Sequence, residues 1–119
     1  MVKHVLIVED EPNIIESLSF LLERAGFVVS SEQNGGMAMQ QIRNLNPDLV
    51  ILDVMLPNRS GFDILRDISD LTEPPHVLML TAKGQARDRQ TATEIGVTRF
   101  MTKPFANAEI VAAVREMLA

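Results

Sequence analysis

The sequence contains no cysteine, which excludes a disulfide framework, a thiolate nucleophile and a cysteine-ligated zinc site. It also lacks any run that approaches the roughly 20 apolar residues of a membrane-spanning helix. Acidic residues directly follow the short apolar run near the N-terminus. We therefore expect a protein of the cytoplasm that has no membrane segment and whose stability comes from packing.

Basic residues are in the minority, since Lys and Arg total 11 against 16 Asp and Glu, for a formal net charge of -5. Proteins that bind nucleic acid neutralise phosphates with clustered Lys and Arg, so direct nucleic-acid binding by this chain is not expected. A length of 119 residues with 46% hydrophobic content suits one core and is too short for two. We expect one domain over residues 1–119.

Short apolar segments alternate with segments of helical periodicity along the chain. Residues 4–8 are largely apolar and β-branched, as in a strand buried on both faces of a parallel sheet. Residues 12–25 carry apolar side chains at helical spacing, with Pro12 suited to the first turn and Gly26 to the stop. The alternation predicts an α/β fold with a doubly wound, parallel, five-stranded sheet. The predicted strands are 4–8, 27–31, 48–53, 76–81 and 99–102, and the predicted helices are 12–25, 36–45, 62–71, about 85–95 and 106–118.

Residues suited to a functional site stand where four of the predicted strands end. They are Glu9, Asp10 and Glu11, then Asp53, then Thr81 and Ala82, and finally Lys103 and Pro104. These ends share one edge of a parallel sheet, where ligand sites of such folds lie. Crowded carboxylates there raise one another's pKa values unless a cation intervenes. Because Mg²⁺ prefers hard oxygen ligands, we predict a magnesium site, with Lys103 and the Thr81 hydroxyl available to phosphoryl oxygens.

Four sequence segments carry a resemblance to a known family. They read VLIVEDEP, DLVILDVMLPNRSGFDIL, VLMLTAKG and FMTKPF, in this order, and the similarity covers about residues 4–118. In these segments the chain resembles the receiver domain of two-component response regulators. The resemblance implies the flavodoxin-like, CheY-like fold of five βα units with strand order 2-1-3-4-5.

The resemblance assigns the residues at the strand ends to one phosphorylation site. By it, Asp53 is the phospho-acceptor and also a ligand of Mg²⁺. Gly61 matches the family's loop glycine, and the Lys103–Pro104 bond is implied to be cis. The other implied site residues are Glu9, Asp10 and the Met55 carbonyl as metal ligands, and Thr81, Ala82 and Lys103 as partners of the phosphoryl group.

The implied function is a signalling switch, and not an enzyme that turns over a separate substrate. Asp53 would take a phosphoryl group from a sensor histidine kinase or a histidine phosphotransfer protein. Thr81 and the aromatic residue Phe100 would then alter the surface of the fourth helix, fifth strand and fifth helix. That surface would control a downstream effector protein or a fused output domain. Met55 and Lys83 stand two positions after Asp53 and Thr81, where they would influence loss of the phosphate.

A phosphorylation-dependent homodimer is a further state that the resemblance raises. Receivers joined to winged-helix DNA-binding domains usually carry acidic residues before the switch aromatic and an arginine in the last helix, and these pair across a dimer. This chain has Thr98, Arg99 and Ala113 at those places. That particular form of dimer is therefore not expected.

Other interpretations compete with the switch. A phosphatase of the haloacid dehalogenase type would need an acid two residues after Asp53, where Met55 stands. A flavodoxin-like carrier of flavin mononucleotide would need Gly, Ser and Thr after the first strand, where this chain is acidic. A degenerate receiver that acts as an unphosphorylated interaction module is the main alternative, and the intact acids, threonine and lysine argue against it. Two local alternatives also stay open, Thr81 as a helix cap and Phe100 as a plain core residue.

Overall fold

The computed structural model describes residues 2–82 and 86–119 of the chain. The strands are β1 (His4–Val8), β2 (Val28–Glu32), β3 (Leu49–Asp53), β4 (His76–Ala82) and β5 (Arg99–Lys103). The helices are α1 (Pro12–Arg24), α2 (Ala38–Leu45), α3 (Gly61–Ser69), α4 (Ala86–Ile95) and α5 (Asn107–Met117), with a 3-10 turn at Gly35–Met37. None of these helices is long and apolar enough, within the described ranges, to cross a membrane.

The strands form one parallel sheet in the order β2-β1-β3-β4-β5. Val5 of β1 lies opposite Leu49 of β3, and Ile51 of β3 lies opposite Leu78 of β4. The predicted doubly wound fold and its strand order are confirmed. Because every strand runs the same way, the residues that follow the strands all meet at one edge of the sheet.

Helices cover both faces of the sheet, since successive strand residues point to opposite sides. On one face, Val5 and Ile7 of β1 pack with Leu18 of α1 and Val114 of α5. The other face carries α2, α3 and α4, which pack on the alternate strand residues; this cluster includes Leu6, Val8, Ile42, Val50, Ile64 and Ala92. The apolar residues of β1 and β3 are fully buried. These two central strands therefore hold the site residues at their ends on a tightly packed support.

The second strand begins one residue later than predicted because the helix before it ends in a specific hydrogen-bonded cap. Gly26 has a φ of 100°, a conformation that glycine adopts readily. The N–H of Phe27 donates to the carbonyl of Leu22 at 3.1 Å, so Phe27 belongs to the end of α1 and pairing starts at Val28.

The predicted helix 36–45 is divided into two parts. Gly35–Met37 form the 3-10 turn, and the Asn34 side chain accepts a hydrogen bond from the N–H of Gly36 at 2.8 Å. The first strand, 4–8, is as predicted, and the other boundaries agree with the prediction to within two residues, as is common at the ends of elements. The predicted start of the fourth helix near residue 85 lies outside the described residues.

Candidate functional site

The residues predicted for the site come together at the carboxyl edge of the sheet. Glu9 follows β1 directly, and Asp53 is the last residue of β3. Thr81 and Ala82 end β4, and Lys103 ends β5. At β1, β3 and β4 the site residues stand where a buried apolar strand meets the loop that follows it, whereas β5 is more exposed.

An acidic cluster forms the centre of this edge. One carboxylate oxygen from each of Glu9, Asp10 and Asp53 lies within 4.8 Å of the others. Glu9 is fully buried and Asp53 is 6% exposed, whereas Asp10 faces solvent. Such hard oxygen donors, with one side open to water, suit a small divalent cation that keeps part of its hydration shell. The donor set therefore fits the predicted magnesium site.

Lys103 pairs directly with two of the acids. Its Nζ atom lies 3.1 Å from Glu9 Oε2 and 3.4 Å from Asp53 Oδ2. The sequence predicted a positive charge available to phosphoryl oxygens, and the structure places that charge between two carboxylates. The other oxygen of Glu9 accepts a hydrogen bond from the N–H of Glu11 at 3.3 Å. Both oxygens of this buried side chain thus have donors.

Burial shifts the proton equilibria of these groups. It raises the pKa of Glu9 to about 7, and the charge of Asp53 adds to the rise while Lys103 opposes it. Burial also raises the pKa of Asp53, against the effect of Lys103. Burial alone would lower the pKa of Lys103, but its carboxylate partners raise it overall. The cluster therefore favours an added proton or an added cation, in the direction that crowded carboxylates predict.

The Thr81 hydroxyl has a partner that the sequence did not reveal. Thr81 is 2% exposed, and its Oγ1 atom donates to Oδ2 of Asp88 at 3.2 Å. Asp88 lies in the first turn of α4. The capping role would use backbone N–H groups just after Ala82, and residues 83–85 lie outside the described part of the chain.

Phe100 lies in β5 and is half-buried. Its ring packs against the core cluster that α2, α3 and α4 cover. The guanidinium carbon of Arg89, the residue after Asp88, lies 5.6 Å from the ring centroid, within the range of a cation–π contact. Phe100 thus packs partly against the core and partly against Arg89.

The loop after Asp53 is shaped by close backbone contacts. A Cβ atom at Gly61 would overlap the carbonyl oxygen of Asp53 and lie 2.9 Å from Cα of Val54. The Gly61 N–H donates to the Val54 carbonyl at 2.9 Å, which turns the chain back towards the end of β3. The side chain of Met55 is 75% exposed, while Lys83, the other residue predicted to influence phosphate loss, lies outside the described residues.

The loop before α2 is hydrogen-bonded to the loop after Asp53. The sequence did not indicate this contact. The N–H of Gly35 donates to the Pro57 carbonyl at 3.1 Å, and the Asn58 side chain donates to Asn34 Oδ1 at 2.9 Å.

The Lys103–Pro104 peptide bond is cis, as the resemblance implied. The dimer positions also differ from the family pattern, since Arg99 pairs with Glu116 of the same chain at 2.8 Å.

Comparison with known proteins identifies the family. The sequence matches the family described as response regulator receiver domain over residues 5–115. It is 36% identical over 118 residues to the alkaline phosphatase synthesis transcriptional regulatory protein PhoP of Bacillus subtilis (strain 168), covering 99% of this chain and 49% of that protein. The chain therefore belongs to the response regulator receiver domain family, and it spans about half the length of this curated relative.

Solved structures agree with this assignment. A structure described as a response regulator of Chloroflexus aurantiacus has 32% sequence identity and a TM-score of 0.94, covering 99% of this chain and 98% of that chain. The BeF3-activated N-terminal receiver domain of Klebsiella pneumoniae RstA has 27% identity and a TM-score of 0.91, covering 97% of both chains. The chain is thus a receiver domain of the two-component response regulator type.

Proposed function

We propose that this chain is a switch that accepts a phosphoryl group on Asp53. The observation that carries the proposal is the setting of the Asp53 carboxylate. It ends a fully buried strand, its side chain is 8% exposed, and the Lys103 ammonium lies 3.4 Å away. An ionised carboxylate needs no general base to act as a nucleophile. The neighbouring cation favours that ionised form and is in reach of an incoming phosphoryl group.

In the proposed reaction, an Oδ atom of Asp53 attacks the phosphorus of a phosphohistidine or a small acyl phosphate. The new P–O bond forms as the bond to the leaving group breaks, and a leaving imidazole takes its proton from solvent. Lys103 would donate to one phosphoryl oxygen, and the hydroxyl of Thr81 and the N–H of Ala82 would donate to others. The chain thereby supplies positioning and charge, and the product is an aspartyl phosphate.

Mg²⁺ is the proposed cofactor of this reaction. Glu9, Asp10 and Asp53, together with the backbone carbonyl of Met55, would hold it, and when bound it supplies positive charge beside the acidic cluster and the phosphoryl oxygens. Burial and the charge of Asp53 raise the pKa of Glu9 to about 7, and a bound cation would act in the opposite direction. Lys103 alone has to serve both buried carboxylates.

The proposed output is a change at the surface of α4, β5 and α5. A phosphoryl group adds a charge of about −1.5 to −2 and three strong acceptor oxygens, to which Thr81 and then Phe100 would respond. The partners would be a sensor histidine kinase or histidine phosphotransfer protein upstream, and an effector protein or fused output domain downstream. The setting would be the cytoplasm, without direct contact to membrane or nucleic acid, and phosphorylation-dependent homodimers are one form of output.

Intact-protein mass spectrometry tests the proposal. Acetyl phosphate with Mg²⁺ should add one phosphoryl group to the wild type, and Asp53→Asn should abolish the addition. Asp70→Asn is the matched control, because Asp70 is an exposed acid at the end of α3 and its change should leave labelling intact. Equal labelling of wild type and Asp53→Asn would refute the acceptor assignment. Absence of labelling in the wild type would favour the unphosphorylated interaction module.

A further inference from the structure

The hydrogen bond between Thr81 and Asp88 has a consequence for the proposed switch. A threonine hydroxyl carries one proton to donate, and here Oγ1 of Thr81 gives it to Oδ2 of Asp88 at 3.2 Å. The same proton would be needed by a phosphoryl oxygen on Asp53. Thr81 can therefore donate to Asp88 or to the phosphoryl group, but not to both.

Asp88 is placed to resist that exchange. It lies in the first turn of α4 and is half-buried, and one turn further along the helix Ala92 is fully buried in the core. The carboxylate is thus presented to Thr81 from the first turn of a regular helix.

The neighbouring residue of α4 contacts the other switch residue. Arg89 follows Asp88 directly and places its guanidinium carbon 5.6 Å from the Phe100 ring centroid. Two consecutive residues of one helical turn, Asp88 and Arg89, therefore contact Thr81 and Phe100 respectively. Any movement of this turn on release of Thr81 is transmitted to the surroundings of Phe100.

We propose that Asp88 is a positioning residue that holds the Thr81 hydroxyl away from the acceptor site, so that the phosphoryl-bound state forms only when this hydrogen bond breaks. The inference rests on the proposed function, which it deepens by naming a residue that sets the balance between the two states. Release of Asp88 also frees the first turn of α4, and with it the contact of Arg89 on Phe100.

The expected size of the effect follows from the geometry. The donor–acceptor distance of 3.2 Å exceeds the roughly 2.5–2.7 Å of strong O–H donors on carboxylates, so the bond is a modest one. Removing its acceptor should tighten binding of a phosphoryl analogue by about fivefold. A fivefold change corresponds to about 1 kcal/mol.

The experiment measures binding of beryllofluoride with Mg²⁺, which imitates the phosphoryl group on an aspartate. Calorimetry or amide NMR titration would give the apparent affinity for the wild type and for Asp88→Ala. The matched control is Glu94→Ala, which removes an exposed acid from the same helix without touching Thr81. We expect tightening in Asp88→Ala and an unchanged affinity in the control. Asp88→Leu has a similar side-chain size and offers no acceptor, so it should act in the same direction, which covers a folding defect in the alanine variant.

Repeating the comparison in a Thr81→Ala background separates the hydrogen bond from simple charge removal. A purely electrostatic effect of Asp88 persists when the hydroxyl is absent, whereas the proposed effect disappears. Tightening that survives in the double variant overturns the inference, as does an unchanged or weakened affinity in both single variants at position 88. Failure of the wild type to bind beryllofluoride would overturn the proposed function itself. If the wild type binds, the results for the Asp88 variants test the role of Asp88 separately.

Discussion

The buried carboxyl group of Glu9 should make the protein less stable as the pH rises towards neutrality when no divalent cation is bound. Burial raises the pKa of Glu9 from its usual 4.5 to about 7, with the charge of Asp53 adding to the rise and Lys103 opposing it. The folded protein therefore binds this proton more tightly than the unfolded chain does. The stabilising contribution is fully present below pH 4.5 and is lost as the pH rises to about 7.

The magnitude can be worked from the same shift. At about 1.36 kcal/mol per pKa unit, the full rise from 4.5 to about 7 corresponds to about 3 kcal/mol. Integrated between about pH 5 and pH 7, the loss is about 2 kcal/mol of the free energy of unfolding. Asp53, whose pKa burial also raises, acts in the same direction. Lys103, whose pKa is raised from 10.5, stays charged throughout this range.

Urea unfolding followed by far-UV circular dichroism is the appropriate assay, because the chain has no tryptophan or tyrosine to report by fluorescence. Measurements in EDTA at about pH 5 and pH 7 should be made on the wild type and on Glu9→Gln, which imitates the protonated side chain. The variant should lose about 2 kcal/mol less over this range than the wild type. Comparison of the two proteins cancels the titration of groups elsewhere.

Glu23→Gln is the control, because Glu23 is an exposed acid on α1 and its removal changes the net charge equally. Its pH dependence should follow that of the wild type. Equal pH dependence of Glu9→Gln and the wild type would refute the reasoning, because it would mean that Glu9 does not hold its proton more tightly in the folded state.

Three further predictions concern the metal site, the contact between the two loops and the net charge of the chain. Mg²⁺ should raise the melting temperature, because it binds only the folded site, and Asp10→Asn should weaken this response; a melting curve unchanged by EDTA would argue against a metal site. Gly35→Ala should destabilise the fold by about 1–3 kcal/mol, since its Cβ would overlap the Arg59 carbonyl oxygen, whereas Gly36→Ala, facing a side-chain atom at 3.1 Å, should cost less. The purified chain should not retard duplex DNA at physiological salt, given its net charge of -5.

The fold was predictable because its signals are local and repeated. Each buried strand is a short apolar run, and each helix carries its own apolar stripe, so the order of elements followed from the chain alone. The strand order came from the family resemblance. The errors at β2 and α2 arose where backbone hydrogen bonds decide the boundary, as at Phe27, whose N–H donates to Leu22.

The candidate site was predictable to the extent that strand ends define it. Glu9, Asp53 and Thr81 lie at the ends of apolar strands. Lys103 ends the more exposed β5, and parallel strands bring all these ends together. The partners of these residues were not predictable in the same way. Asp88 meets Thr81 because of how α4 lies beside the end of β4. The pairing of Gly35 with Pro57 joins two loops that are distant in sequence.

The acidic cluster and the Thr81–α4 side of the site differ in how much apolar surface their elements bury. This difference predicts which side moves in the proposed switch. Glu9 follows the central strand β1 and Asp53 ends the central strand β3. The apolar residues of both strands are fully buried, so displacing these strand ends would disrupt the core. Helix α3 buries Ile64, Leu65 and Ile68, whereas in α4 the fully buried residue is Ala92. A helix that buries less apolar surface is displaced at lower cost. New charge on Asp53 should therefore be accommodated by movement on the side of Thr81 and α4, while the acidic cluster stays in place.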